Sequence, residues 1–250
     1  MRRERNPMAT DAVRRSVDHA ADPLLEAPRA VLDRLRTLVG DGPDRHADGF
    51  LEPPTAPVPV IEPATAAPLA HGTVEPLAVD RAFAFVDISG FTAYCDRHGE
   101  RAAVGVLTLF RSVTREVVGR RGVRVAKWLG DGVMLVGTAP GPLVAAVVEL
   151  ECRVRATGLE THAGVAWGSV LLFEGDDYVG RTVNLAARLA DAAGPGEVLG
   201  AGLTGALPEW VERKGLVTVQ VAGMGRISDV ASLGAVADVE RTLLDGASAA

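Results

Sequence analysis

The sequence predicts an α+β domain over the last two-thirds of the chain, with strands and helices in the order β-α-β-β-α-β. Three observations predict it. Short strand-like runs recur at Ala82–Ile88, where two aromatics are included, and at Val123–Trp128 and Val133–Thr138, a composition that suits a pleated, half-buried surface. The last two flank Leu129-Gly130-Asp131-Gly132, a strong signal for a tight hairpin. Longer stretches with helical periodicity separate the runs.

The elements follow in order. Ala82–Ile88 is a buried strand, after which Ser89 or Thr92 caps a helix running to about Gly119. The hairpin comes next, then a helix over Leu143–Ala156. Thr161–Trp167 and Ser169–Phe173 are expected as a second hairpin turning at Gly168. A further helix spans about Thr182–Ala193, and strands near Leu216–Val221 and Ile227–Leu233 close the domain. This is the ferredoxin-like plan, an antiparallel sheet with helices on one face. No internal repeat is visible.

Proline divides the rest. Eight of the 15 prolines fall between Pro43 and Pro76, which excludes a helix or a central strand and predicts an extended linker. Ahead of it, Val31, Leu32, Leu35, Leu38 and Val39 make one helical stripe opened by Pro28. The expected organisation is an N-terminal helical segment over 1–41, a Pro-rich linker over 42–79, the α+β domain over 80–236 and a C-terminal tail over 237–250.

Composition narrows the function. A net charge of −6 argues against a general nucleic-acid binder, which carries a basic face. No apolar run approaches the roughly 18–20 residues of a membrane span, and no apolar signal core follows the charged start, so a cytoplasmic protein is expected. Cys95 and Cys152 make neither a disulfide framework nor a metal-ligand spacing; Cys152 reads as a small core residue. Of the 26 basic residues only Lys127 and Lys214 are lysine, so each is worth examining.

Three segments carry chemistry: FVDISGFT (85–92), KWLGDGVM (127–134) and DYVGRTVNLAARL (177–189). The expected sheet order brings Asp87, at the end of the first strand, beside Asp131 in the hairpin. Two converging carboxylates repel unless a cation lies between them, and hard oxygen ligands suit Mg²⁺ or Mn²⁺ assisted by substrate phosphates. Ser89-Gly90-Phe91 opens a helix whose free N–H groups are suited to phosphate oxygens. Metal plus helix start predicts a nucleoside triphosphate. Asn184 and Arg188 lie four apart, on one helical face. His98 and His162 have no partner in sequence and read as structural, and Trp128 and Trp167 as packing residues.

Together the three segments resemble the catalytic domain of class III adenylyl/guanylyl cyclases over about residues 80–235. The resemblance implies Asp87 and Asp131 as metal-binding aspartates, joined by Ile88, with two Mg²⁺ or Mn²⁺ ions per site. It implies Lys127 and Asp177 as the pair that reads adenine, and Asn184 and Arg188 as the residues that position ribose and stabilise the transition state. It further implies a head-to-tail homodimer in which Asp87 and Asp131 meet the other four residues from the second chain. ATP is the expected substrate, because Lys127 donates and Asp177 accepts where adenine offers an acceptor at N1 and a donor at its 6-amino group. Family members often carry a phosphate-binding lysine near the last strands, where this chain reads Gly223-Met224-Gly225-Arg226; Met224 stands in its place, and either Arg226 takes the contact from one residue along or the contact is missing. The alternatives are a guanylyl cyclase or a catalytically weak, cyclase-like nucleotide-binding or dimerisation module.

Overall fold

The computed structural model describes residues 77–173, 177–203, 207–221 and 223–248. The expected N-terminal helical segment and nearly all of the linker lie outside the described residues. β1 (Leu77–Ile88) starts three residues inside the expected linker and runs longer than its apolar core suggests. α1 (Phe91–Arg121) is broken at Gly99, whose φ of 79° and ψ of 168° leave the helical region. β2 (Arg124–Leu129) and β3 (Gly132–Gly137) form the expected hairpin, and α2 (Pro140–Arg155) follows. Then come β4 (Thr161–Phe173), β5 (Asp177–Val179), α3 (Arg181–Ala192), β6 (Val198–Ala201), β7 (Val211–Val221), β8 (Gly225–Ala235) and α4 (Ala237–Ser248).

The strand order is β2-β3-β1-β4-β6-β8-β7, with β5 paired to β4. Its first four strands are the ferredoxin-like arrangement, with β1 antiparallel to both β3 and β4. β6 joins β4 in parallel, so the extended sheet is mixed. Alternation along β1 divides the core. Ala82, Ala84, Val86 and Ile88 face α1 and α2, packed with Phe110, Leu143, Val147 and Leu150. Phe83 faces the other way, clustered with Met134, Ala166, Val170 and Ala186 of α3. Helices therefore cover both faces, where the sequence reading expected one: α3 is amphipathic and buries its alanines on the second.

Other differences are local. Thr161–Phe173 is one continuous strand; Gly168 pairs with Arg81 in unbroken register instead of turning. A Cβ there would lie 2.8 Å from Thr182 Oγ1, so the glycine admits α3, and the same holds at Gly164, 2.2 Å from the Ala186 carbonyl oxygen. The short strands β5 and β6 were not expected, and most of the expected tail is α4. Among the described residues no helix is long and apolar enough to cross a membrane.

Candidate active site

β1 delivers Asp87 to the β2–β3 turn. In register Asp87 lies opposite Gly132, and a Cβ on Gly132 would sit 1.6 Å from Asp87 Oδ1. The glycine leaves the space that the Asp87 carboxylate fills. Gly130 has φ of 71°, the left-handed conformation that two-residue hairpin turns need at their first central position. Asp131 follows it, and its carbonyl accepts the Ile88 N–H at 3.4 Å. Burial pushes the Asp87 carboxyl above its ordinary value; His162 pulls it back, while Asp131 and Asp191 add to the rise. The two aspartates thus meet as the sequence predicts, and one of them is short of positive charge.

These residues fit a hard divalent cation. The Ile88 side chain is buried and carries no ligand atom, so its main-chain carbonyl is the one oxygen it has to offer between Asp87 and Ser89. Among the described residues no group of three or more His, Cys, Asp or Glu side chains forms. An incomplete protein shell of this kind suits Mg²⁺ or Mn²⁺, which retain water or take phosphate oxygens for the rest.

Beside them, Gly90 is the N-cap of α1, with φ of 71° and no capping side chain; neither Ser89 nor Thr92 fills that role. The N–H groups of the first turn lack intrahelical partners by geometry, which leaves Gly90 and Phe91 suited to an anion. Ser89 is different. Its N–H donates to the Glu160 carbonyl at 2.9 Å, and its hydroxyl lies 3.1 Å from His162 Nδ1. His162 also stands opposite Asp87 across the β1–β4 ladder. Sequence reading took it for a residue without partners; once the sheet order was expected, the register would have revealed its neighbours. His98 instead packs on Tyr94, ring centroids 4.6 Å apart.

Lys127 and Asp177, 50 residues apart, form an ion pair at 2.5 Å. A bulge between Val125 and Lys127 sets Lys127 opposite Met134, on the sheet face that also carries Asp87. Trp128 points the other way, toward Arg111 and Arg115 of α1, away from the face that carries Lys127. Both partners of the ion pair are about half exposed, so it separates at little cost, ~0–1 kcal/mol for such pairs.

α3 buries Thr182, Ala186, Leu189 and Ala190 and turns Asn184 and Arg188 outward. Arg188 pairs with Asp191 at 2.9 Å. A cavity of about 400 Å³ is lined by Arg181, Asn184, Gly223 and Met224. Arg226 pairs with Gln220 in the β7–β8 ladder and is not among that lining. Arg181 was missed in the sequence, where it reads as one more surface arginine.

No family model matches the chain. An uncharacterized protein of Mycobacterium tuberculosis (strain H37Rv) is 43% identical over 129 residues, covering 50% of this chain and 34% of that protein. An adenylate cyclase of Glutamicibacter nicotianae is 35% identical over 126 residues, covering 50% and 31%. The matches thus span about a third of the length of these curated relatives. Among solved structures, the catalytic core of a rhodopsin-guanylyl cyclase with converted specificity, in complex with ATPalphaS, matches with TM-score 0.54 at 22% identity, over 64% of this chain and 99% of that one. The adenylyl cyclase CyaB from P. aeruginosa matches with TM-score 0.53 at 22% identity, over 65% and 97%. The fold is that of the catalytic domain of class III adenylyl/guanylyl cyclases, as the three sequence segments lead one to expect.

Proposed function

We infer that this chain, built on the cyclase catalytic fold, converts ATP to 3′,5′-cyclic AMP and pyrophosphate in a head-to-tail homodimer with two shared sites. One observation carries the reading. The undercompensated Asp87–Asp131 pair and the Lys127–Asp177 donor–acceptor pair stand on one domain whose α3 turns Asn184 and Arg188 outward.

In the reaction the ribose 3′-OH attacks the α-phosphorus in line and pyrophosphate leaves. Asp87, Asp131 and the Ile88 carbonyl would hold two divalent cations, which would supply hydroxyl acidification and neutralisation of phosphate charge. Gly90 and Phe91 offer amides to the phosphates, with Ser89 tying that loop to β4 through Glu160 and His162. Lys127 donates to adenine N1 and Asp177 accepts from the 6-amino group; guanine presents the opposite polarity at both positions. Asn184 orients the ribose of the site it shares with the partner chain. Arg188 exchanges Asp191 for the charge that develops on the α-phosphoryl oxygens. Arg181 lines the cavity beside Asn184 and Met224, which supports it over Arg226 as the cation for the triphosphate. Arg181→Ala should then raise the KM for ATP by about tenfold, and Arg226→Ala far less.

Exposed Leu171, Phe173 and Val179 on the β4–β5 pair support burial of this strip against a second chain. The direct test is mass spectrometry of products after incubation with ATP or GTP and Mg²⁺ or Mn²⁺. The reading requires metal-dependent cyclic AMP from ATP that Asp87→Ala abolishes. Cyclic GMP alone would reassign the base, and the absence of any cyclic product would reduce the chain to a nucleotide-binding module.

A further inference from the structure

The turn that carries Asp131 is anchored from outside the sheet. Asp131 lies between Gly130 and Gly132 in a two-residue loop, and glycine on both sides gives the backbone little stiffness of its own. The Ile88 N–H to Asp131 carbonyl bond is long at 3.4 Å. Asp87, whose carboxyl fills the space above Gly132, repels Asp131. The ladder sets the register of the strands up to Gly132, but the peptide that carries Asp131, beyond its last pair, is held less firmly by the sheet.

α1 supplies the missing restraint through one side chain. Arg111 Nη2 donates to the Gly130 carbonyl at 3.3 Å, one peptide before Asp131. Its guanidinium lies 5.1 Å from the ring centroid of Trp128, on the strand that leads into the turn. Arg111 Nε is buried without a hydrogen-bond partner, an unfavourable arrangement for a guanidinium that is otherwise free to swing into water. One group does both because the guanidinium spreads its charge over three nitrogens: the cation lies over the ring while one N–H donates to the carbonyl. Arg115, one turn further along α1, lies over the same ring at 5.4 Å, but its described contact is with the ring alone.

We propose that Arg111 is a positioning residue for Asp131, fixing the β2–β3 turn to α1 so that both carboxylates are held ready for the cations. The proposal rests on the reading of Asp87 and Asp131 as metal ligands. Arg111 lies with Trp128 on the α1 side of the sheet, opposite the face that carries Asp87 and Lys127. It acts through the Gly130 peptide and the Trp128 ring.

The test compares wild type with Arg111→Ala, Arg111→Lys and, as a control, Arg115→Ala. Mn²⁺ binding is followed by electron paramagnetic resonance in the presence of 3′-deoxy-ATP, which has no attacking hydroxyl. Arg111→Ala should weaken Mn²⁺ by about tenfold or more, as loss of an outer-shell support does, while the KM for ATP at saturating metal stays near wild type. Arg111→Lys keeps the charge but not the flat fork, and should recover only part of the affinity. Arg115→Ala should bind Mn²⁺ like wild type. Hydrogen exchange at residues 129–132 should accelerate about fivefold in Arg111→Ala, with exchange in β1 and β4 unchanged as the check on folding. Unchanged exchange in the turn, or equal Mn²⁺ loss in Arg115→Ala, would overturn the proposal. A wild-type chain that binds no Mn²⁺ would instead remove the metal-ligand reading, and the exchange data would still decide whether Arg111 anchors the turn.

Discussion

Asp87 and Glu149 are both carboxylates withdrawn from water, and the fold treats them in opposite ways. Glu149, 3% exposed on α2, receives Arg120 Nη2 at 2.5 Å and Arg121 Nε at 2.8 Å from the end of α1, with Arg153 Nη1 at 3.9 Å. Arg121 also lies over Trp210, 5.0 Å from its ring centroid. Here the chain brings its own cations, and the result joins two helices. Asp87 meets a second carboxylate instead, with only His162 in partial opposition, and its carboxyl is held above the ordinary range. A buried charge that serves the fold comes with its partner. One that lacks a partner stores an unfavourable interaction that a ligand from outside relieves, and such sites are where function concentrates.

The largest effect that sharpens this contrast is on turnover. Asp87→Ala and Arg188→Ala should each lower cyclase activity by about a thousandfold. An equal mixture of the two variants should recover roughly a quarter of the wild-type rate, because about half of the dimers are mixed and each of those has one of its two sites intact. No recovery between chains shown to exchange would rule out the shared site.

Glu149→Ala attacks the other region. It takes the shared carboxylate from Arg121 and leaves Arg120 and Arg153 to Glu116 alone, and should cost about 2 kcal/mol of stability in denaturant titration. The folded fraction should keep its kcat and KM within about twofold, since the cluster shares no partner with the site. Loss of activity without loss of stability would merge the two regions that the comparison separates.

Exchanging Lys127→Glu with Asp177→Cys reverses the hydrogen-bond polarity offered to the base. Preference for ATP over GTP, measured as the ratio of kcat/KM values, should shift by about 100-fold toward GTP. A preference that survives the exchange would assign base reading to other residues.

The smallest effect concerns Asp87 again, in metal-free protein. Its folded value lies above its unfolded one, so its contribution to stability is present below the unfolded value and is lost as pH rises through the folded value. Asp87→Asn removes that loss. Melting with a chelator present should show the variant more stable by about 1 kcal/mol near neutral pH, with the gain shrinking in acid, while activity is abolished. An equal or lower melting temperature near neutral pH would mean that Asp87 is not the strained carboxylate the comparison makes it.

Much of this molecule is legible in the chain. The strand pair around Leu129–Gly132 was readable because Gly-Asp-Gly between apolar runs favours one tight turn, and that hairpin with β1 fixes the meeting of Asp87 and Asp131. Errors fell where a residue type has two uses. Gly168 looks like a turn and is instead a gap for Thr182 of α3; only the neighbouring helix distinguishes them. His162 looked solitary because its partners, Ser89 and Asp87, lie more than 70 residues away. α3 was expected on the same face as the other helices, and nothing in its own periodicity states which side of a sheet it covers.

Sequence by itself determined the first strand, the hairpin and the three helices between residues 91 and 192, in their order, and the chemical inventory: two aspartates, a lysine with an aspartate, an asparagine with an arginine, and glycines at fixed places beside them. Local forces suffice for that, because turn conformations and apolar periodicity act over a few residues. Tertiary structure alone decided which of these groups are compensated. The α1–α2 packing surrounds Glu149 with arginines, the sheet register sets Asp87 against Asp131 and His162, and a bulge in β2 turns Lys127 toward Asp177 while Trp128 goes to Arg111. Charge compensation depends on distances of a few ångströms between residues far apart in the chain, and those distances exist only once the sheet and helices have closed.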